Sequence, residues 1–109
     1  MANAARQFVE SKLNSTKVVV FSATYCPYCT KAKDTLAKFK IPPANYQIIE
    51  LDQDVEDGEE IKDYLKEITG ARSVPRVFID KKFIGGGDDT VRLDASGELE
   101  KMLKDAHAL

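Results

Sequence analysis

Cys26 and Cys29 are the whole cysteine complement of this 109-residue chain, and only Pro27 and Tyr28 separate them. At that spacing a pair can be half of a metal site, a short structural disulfide or a redox-active dithiol. A tetrahedral zinc site needs four ligands. Beyond its two cysteines the chain offers one histidine, His107, in the C-terminal tail. A disulfide across so short a loop removes little entropy from the unfolded chain. In a dithiol the chemistry belongs to the thiolate, which attacks disulfides where the thiol does not.

The elements around the pair decide what it can do. "KVVVFSA", Lys17 to Ala23, is a β-branched run of the kind that forms a strand buried on both faces. From Pro27 to Lys40 the pattern turns helical, with Cys29, Ala32, Leu36 and Phe39 on one stripe. Pro27 suits the first helical position, where its missing N–H is not needed. "IPP" stops this helix at Ile41, and "YQIIEL", Tyr46 to Leu51, is a second apolar strand. Strand, helix and strand make a βαβ unit with parallel strands and a right-handed crossover.

Before it, "MANAARQFVESKLNS" reads as an amphipathic helix with Phe8, Val9 and Leu13 on one face. After it, a helix is expected from about Gly58 to Thr69. Asp57 and Glu60 resemble a capping box, Ile61, Leu65 and Ile68 form the apolar stripe, and Gly70 ends it. "RVFID" and "KFIGG" read as a hairpin turning near Asp80 and Lys81. One or two short helices follow, with Val91, Leu93, Leu99 and Leu103 as their apolar contacts. The sum is an α/β fold of one domain over residues 1–109. It has a four-stranded mixed sheet, a βαβ unit plus a β-hairpin, flanked by four to five helices.

This places Cys26 where the first strand hands over to a helix. Free backbone N–H groups and the positive end of the helix dipole gather there and favour its thiolate. Lys31 and Lys33 add positive potential nearby. Cys29, one turn on, faces inward. The roles separate accordingly: Cys26 attacks and Cys29 resolves the mixed disulfide. A close Cys pair beside a βαβ pattern is the recognised thioredoxin-like signal.

Composition narrows the partners. The chain is 43% hydrophobic and 31% charged, which suits a folded soluble domain. A net charge of −2 argues against nucleic acid held by phosphate neutralisation. No apolar run approaches the roughly 20 residues of a membrane span. The first residues lack the apolar core of an export signal, and two cysteines make no disulfide scaffold. A reducing, cytoplasmic setting and a monomer are expected. The acidic stretch Glu50, Asp52, Asp54, Glu56, Asp57, Glu59 and Glu60 reads as a solvated loop and helix start, and His107 as a solvated tail residue.

"TYCPYC", "GARSVPRVFID" and "IGGGDD" together resemble the dithiol glutaredoxins, over about Phe8 to Leu103. Thioredoxins usually carry Trp-Cys-Gly-Pro-Cys, and this chain has no Trp. The resemblance implies the thioredoxin fold and reduction of protein–glutathione mixed disulfides and protein disulfides. Glutathione is then the co-substrate, regenerated indirectly by glutathione reductase, with no tightly bound cofactor and no metal. It also implies a cis Val74–Pro75 bond facing the cysteines, with the Val74 backbone pairing with glutathione as an added strand. The N–H groups of Gly87, Asp88 and Asp89 would meet the γ-glutamyl carboxylate. Asp89, rather than Asp88, would take the ammonium group or cap the helix, and Tyr28 would pack on the tripeptide.

The chain departs from the family pattern in places. Ala23 stands where many relatives have a Lys for the glycyl carboxylate, and Lys62 where many have Gln. Lys62, assisted by Arg72, is expected to take over that contact. Ser73 replaces the more usual Thr, and Gly87 sits where some relatives carry a further cysteine. Two rivals stay open: a thioredoxin-like protein reduced by a flavoprotein, and an iron–sulfur carrier in which two chains share a cluster through Cys26 and glutathione.

Overall fold

The protein, described here by a computed structural model over residues 2–109, runs α1 (Ala2–Ser15), β1 (Val18–Ser22), α2 (Pro27–Ala37), a 3-10 turn at Pro43–Asn45, β2 (Tyr46–Glu50), α3 (Gly58–Thr69), β3 (Arg76–Ile79), β4 (Lys82–Gly85), α4 (Gly87–Ser96) and α5 (Glu98–Asp105). The strands form one sheet in the order β2-β1-β3-β4. β1 pairs with β2 in parallel, and the other two pairings are antiparallel. All five β1 residues are buried, as its unbroken apolar run requires. Asp80 and Lys81 make the hairpin turn, both with positive φ, the pair of left-handed residues that a two-residue turn uses.

The pleat divides the core in two. Val19 and Phe21 of β1 join Phe78 of β3 under α1 and α3, with Val9, Leu13, Ile61 and Leu65. Val18 and Val20 face the other way and meet Ala32 and Leu36 of α2 and Leu99 and Leu103 of α5. These are the four-stranded mixed sheet and flanking helices expected from the sequence, with five α-helices among the described residues, within the four to five expected.

Several local expectations are corrected. α2 ends at Ala37 instead of Lys40. The N–H groups of Lys38, Phe39 and Lys40 bond three residues back, to Thr35, Leu36 and Ala37, so the last turn tightens. Asp57 does not cap α3 with its side chain. Its ψ of 39° departs from the extended backbone that aims a cap at the first turn. Ile68 and Val91, expected in the core, are exposed, and Tyr64 is buried on α3 in place of Ile68. Gly70 closes α3 in the left-handed conformation, as expected.

The acidic stretch is also not uniformly solvated. Glu50 lies in β2, and its largely buried carboxylate pairs with Lys33 at 2.8 Å. Asp52 binds Thr24, accepting from its N–H at 3.0 Å and also from its hydroxyl.

Candidate active site

The register fixes where the loops meet. Ser22 at the end of β1 lies opposite Glu50 at the end of β2. Phe21 lies opposite Arg76 at the start of β3, and Val77 opposite Gly85 at the end of β4. The β1–α2 loop, the α3 head, the segment before β3 and the α4 head therefore gather at one end of the sheet. Cys26, Lys62, Val74 and Gly87 belong to those four segments.

Cys26 is the N-cap of α2 and Pro27 its first helical residue. The Cys29 N–H donates to the Cys26 sulfur at 3.2 Å. An N–H aimed at the sulfur from a helix N-terminus favours negative charge there. Cys26 is half-buried and Cys29 fully buried, and both are free thiols. An incoming disulfide therefore meets Cys26 first. The Val74–Pro75 bond is cis. The Val74 carbonyl accepts from the Cys26 thiol at 3.6 Å, so this segment faces the cysteines as the resemblance implies.

Burial raises the Cys29 thiol from an ordinary 9.0 to about 11, and the neighbouring Cys26 adds to the rise. The Ala23 N–H, which donates to the Cys29 sulfur at 3.4 Å, acts against it. The fold thus favours the neutral Cys29 thiol. That contribution to stability is complete below about pH 9 and is lost as pH climbs through about 11. The stability difference between the dithiol protein and Cys29→Ser should change across this window in denaturant titrations. A difference that stays constant would contradict the assignment.

The other expected residues fall into two groups at the same end of the sheet. On one side, Gly87 begins α4 directly against Tyr28. A Cβ on Gly87 would lie 2.5 Å from the Tyr28 carbonyl oxygen. The Tyr28 ring is exposed, with the Lys31 ammonium 5.3 Å from its centre. Lys31 also pairs with Asp88 at 2.9 Å. Asp89 turns back on its own helix, accepting from the Gly86 N–H at 2.9 Å and pairing with Arg92 at 2.9 Å. The Gly86 N–H, with Arg92 assisting, holds its carboxyl below the usual range. Capping is thus the contact Asp89 makes within this chain.

On the other side, Lys62 and Arg72 share one acid. Glu59 pairs with Lys62 at 3.4 Å and with Arg72 at 3.1 Å, and Arg72 also reaches Asp63 at 3.1 Å. The Lys62 side chain is only 16% exposed. Ala23, where a Lys would stand in many relatives, is buried.

Two supporting contacts were not anticipated. Asp52 ties the loop before Cys26 to the loop after β2 through Thr24. Arg76 donates to the Pro75 carbonyl at 3.2 Å and lies 4.8 Å from the centre of the Phe83 ring. It holds the segment before β3 from behind. No motif marks either contact; a charged residue at a strand start and an Asp within an acidic run both look solvated.

The glutaredoxin family model matches residues 18–84. Glutaredoxin-C8 from rice (Oryza sativa subsp. japonica) is 46% identical over 96 residues, covering 88% of this chain and 69% of the rice protein. Among solved structures, oxidized glutaredoxin 2 from Chlamydomonas reinhardtii matches with a TM-score of 0.90 and 46% identity, over 99% of this chain and 98% of that one. A buckwheat glutaredoxin–glutathione complex matches with a TM-score of 0.90 and 40% identity, over 99% of this chain and 94% of that one. Sequence and fold agree over nearly the whole length with the placement of the paired cysteines, and the chain belongs to the glutaredoxin family.

Proposed function

We propose that this protein is a glutathione-dependent thiol–disulfide oxidoreductase that reduces protein–glutathione mixed disulfides and protein disulfides. The observation that carries this reading is the Cys26 sulfur, half-buried at the head of α2, with the Cys29 N–H at 3.2 Å and the Val74 carbonyl at 3.6 Å. The similar buckwheat protein in complex with glutathione supports the choice of co-substrate.

The Cys26 thiolate attacks the glutathione sulfur of a mixed disulfide. The protein thiolate leaves and takes a proton, and glutathione stays on Cys26. A second glutathione thiolate attacks that sulfur; the enzyme thiolate returns and glutathione disulfide departs. For a protein disulfide, Cys26 forms the link to substrate and Cys29 breaks it. The Val74 backbone is assigned to the peptide of glutathione, beside Pro75. The α4 head at Gly87, Asp88 and Asp89 is assigned to its γ-glutamyl end, and Tyr28 to packing. We assign the glycyl carboxylate to Lys62 and Arg72. The free enzyme is taken to work as a cytoplasmic monomer, in keeping with a chain that carries no disulfide scaffold.

The reading is tested by reduction of a glutathionylated peptide, with glutathione and glutathione reductase as the only electron source. Turnover above the uncatalysed rate is the expected result; its absence would remove the glutathione assignment. Lys62→Ala should then raise KM for glutathione about fivefold with kcat held, the effect of roughly 1 kcal/mol from one partly exposed charge pair. An unchanged KM would return Lys62 to a purely structural pairing with Glu59.

A further inference from the structure

Ser22 is fully buried, and its hydroxyl has no hydrogen-bond partner among the described residues. A buried hydroxyl left unpaired is unfavourable, and such groups are uncommon in folded proteins. Its position explains what it is for. Side chains alternate along a strand, so Ser22 shares a face with Val18 and Val20. Those two valines pack against Ala32 and Leu36 of α2. The same inner stripe of α2 begins with Cys29, itself fully buried. The next residue along, Ala23, already donates its N–H to the Cys29 sulfur at 3.4 Å.

We propose that Ser22 is a positioning residue for Cys29, its buried hydroxyl serving as the donor that takes up the negative charge on the Cys29 sulfur as that sulfur attacks the mixed disulfide on Cys26. This inference rests on the proposed division of labour between the two cysteines. In the step concerned, Cys29 gives up its proton and its sulfur attacks the Cys26 sulfur. The bond from Cys26 to the substrate sulfur breaks, and the substrate leaves as a thiolate. A Cys26–Cys29 disulfide forms, so the enzyme loses two electrons and the substrate gains them. A neutral Cys29 leaves the Ser22 hydroxyl without a good partner; a charged Cys29 supplies one. The interaction is therefore stronger in the reacting state than in the resting state, which is the condition for accelerating the step. Together the Ala23 N–H and the Ser22 hydroxyl form a two-donor cradle for a sulfur that burial otherwise holds neutral. The Ala23 N–H and the nearby Ser22 hydroxyl both act to lower the Cys29 proton affinity, in opposition to desolvation.

The test isolates the resolving step. Cys26 is converted to its mixed disulfide with thionitrobenzoate, and release of the coloured arylthiolate by Cys29 is followed in a single turnover without glutathione. The parent protein should release it intramolecularly, and Cys29→Ser should not. Ser22→Ala should slow release about tenfold, the factor expected for a hydrogen bond to a charged group. Ser22→Thr, which keeps the hydroxyl, should stay close to the parent. Thermal unfolding of each variant checks that the fold is retained. Release from Ser22→Ala at the parent rate would overturn the proposal. Equal slowing in Ser22→Ala and Ser22→Thr would also overturn it, because packing rather than the hydroxyl would then set the rate. No release from the parent itself would overturn the assignment of Cys29 as resolving thiol, and the Ser22 role with it. That failure is distinct from failure of the glutathione assignment, since glutathione is absent from the assay.

Discussion

Cys26→Ser should reduce turnover of a glutathionylated peptide by about 10³-fold or more, whereas Cys29→Ser should keep most of it. The asymmetry follows from position. Cys26 is half-buried at the α2 N-terminus with an N–H directed at its sulfur. Cys29 is fully buried one turn later, and burial pushes its thiol up to about 11. An external disulfide can reach the first sulfur and not the second. With a glutathionylated peptide, both exchanges occur at Cys26 and glutathione supplies the second thiol. With a protein disulfide, Cys29→Ser should instead stall as a covalent enzyme–substrate complex, visible by mass spectrometry under non-reducing conditions. Comparable losses in both variants with the glutathionylated peptide would refute this division. So would an active Cys26→Ser.

The same asymmetry shows which parts of this fold can be read from sequence. β1 was legible because an unbroken β-branched run has few places to go except a strand covered on both sides. Pro27 marked the first turn of α2, and with it the end at which Cys26 had to sit. Once these were placed, the chemistry of the pair was largely fixed. The misplaced apolar residues share one cause: periodicity gives spacing along a helix but not where the partner surface ends. Ile68 lies near the end of α3 and Val91 on the outer side of α4, and both reach water. Tyr64 goes inside because its hydroxyl finds the Glu10 carboxylate at 2.6 Å, a partner 54 residues away in the chain. Glu50 with Lys33 and Asp52 with Thr24 were missed for the same reason. Each is a polar contact between segments distant in sequence, and nothing in either segment alone announces it.

The part of the site proposed for the glycyl carboxylate shows the limit of a residue-by-residue transfer from relatives. Ala23, where the family pattern often has a Lys, is small and buried and brings no charge to that loop. Lys62 and Arg72 bring two positive charges to the adjoining α3 head, but each is already engaged by Glu59. A carboxylate ligand would have to share them with that acid. Weakening Glu59 should therefore help the ligand, and Glu59→Gln is expected to lower KM for glutathione in the same assay in which Lys62→Ala raises it.

Gly85→Ala should damage both the fold and the α4 head while leaving both cysteines in place. Gly85 ends β4 with φ of +128°, a region that L side chains rarely adopt. A Cβ there would also collide with the Asp89 side chain. The collision and the backbone strain together should destabilise the protein by about 3 kcal/mol. In a chain of this size that lowers Tm by on the order of 10 °C or more. The loss has a functional part, because relief of the collision must move Asp89. Asp89 accepts from the Gly86 N–H at 2.9 Å and so sets the head of α4, where Gly87 packs on Tyr28. KM for glutathione should therefore rise along with the loss of stability. Gly97→Ala separates the two effects. Gly97 also has positive φ, +84°, but nothing lies within 4 Å of where its Cβ would be. It links α4 to α5, away from the cysteines. That variant should lose only about 1 kcal/mol, the strain of one left-handed residue, and keep the parent KM. If Gly85→Ala behaved like Gly97→Ala in both measurements, the close approach of β4 to Asp89 would not be what holds the α4 head in place.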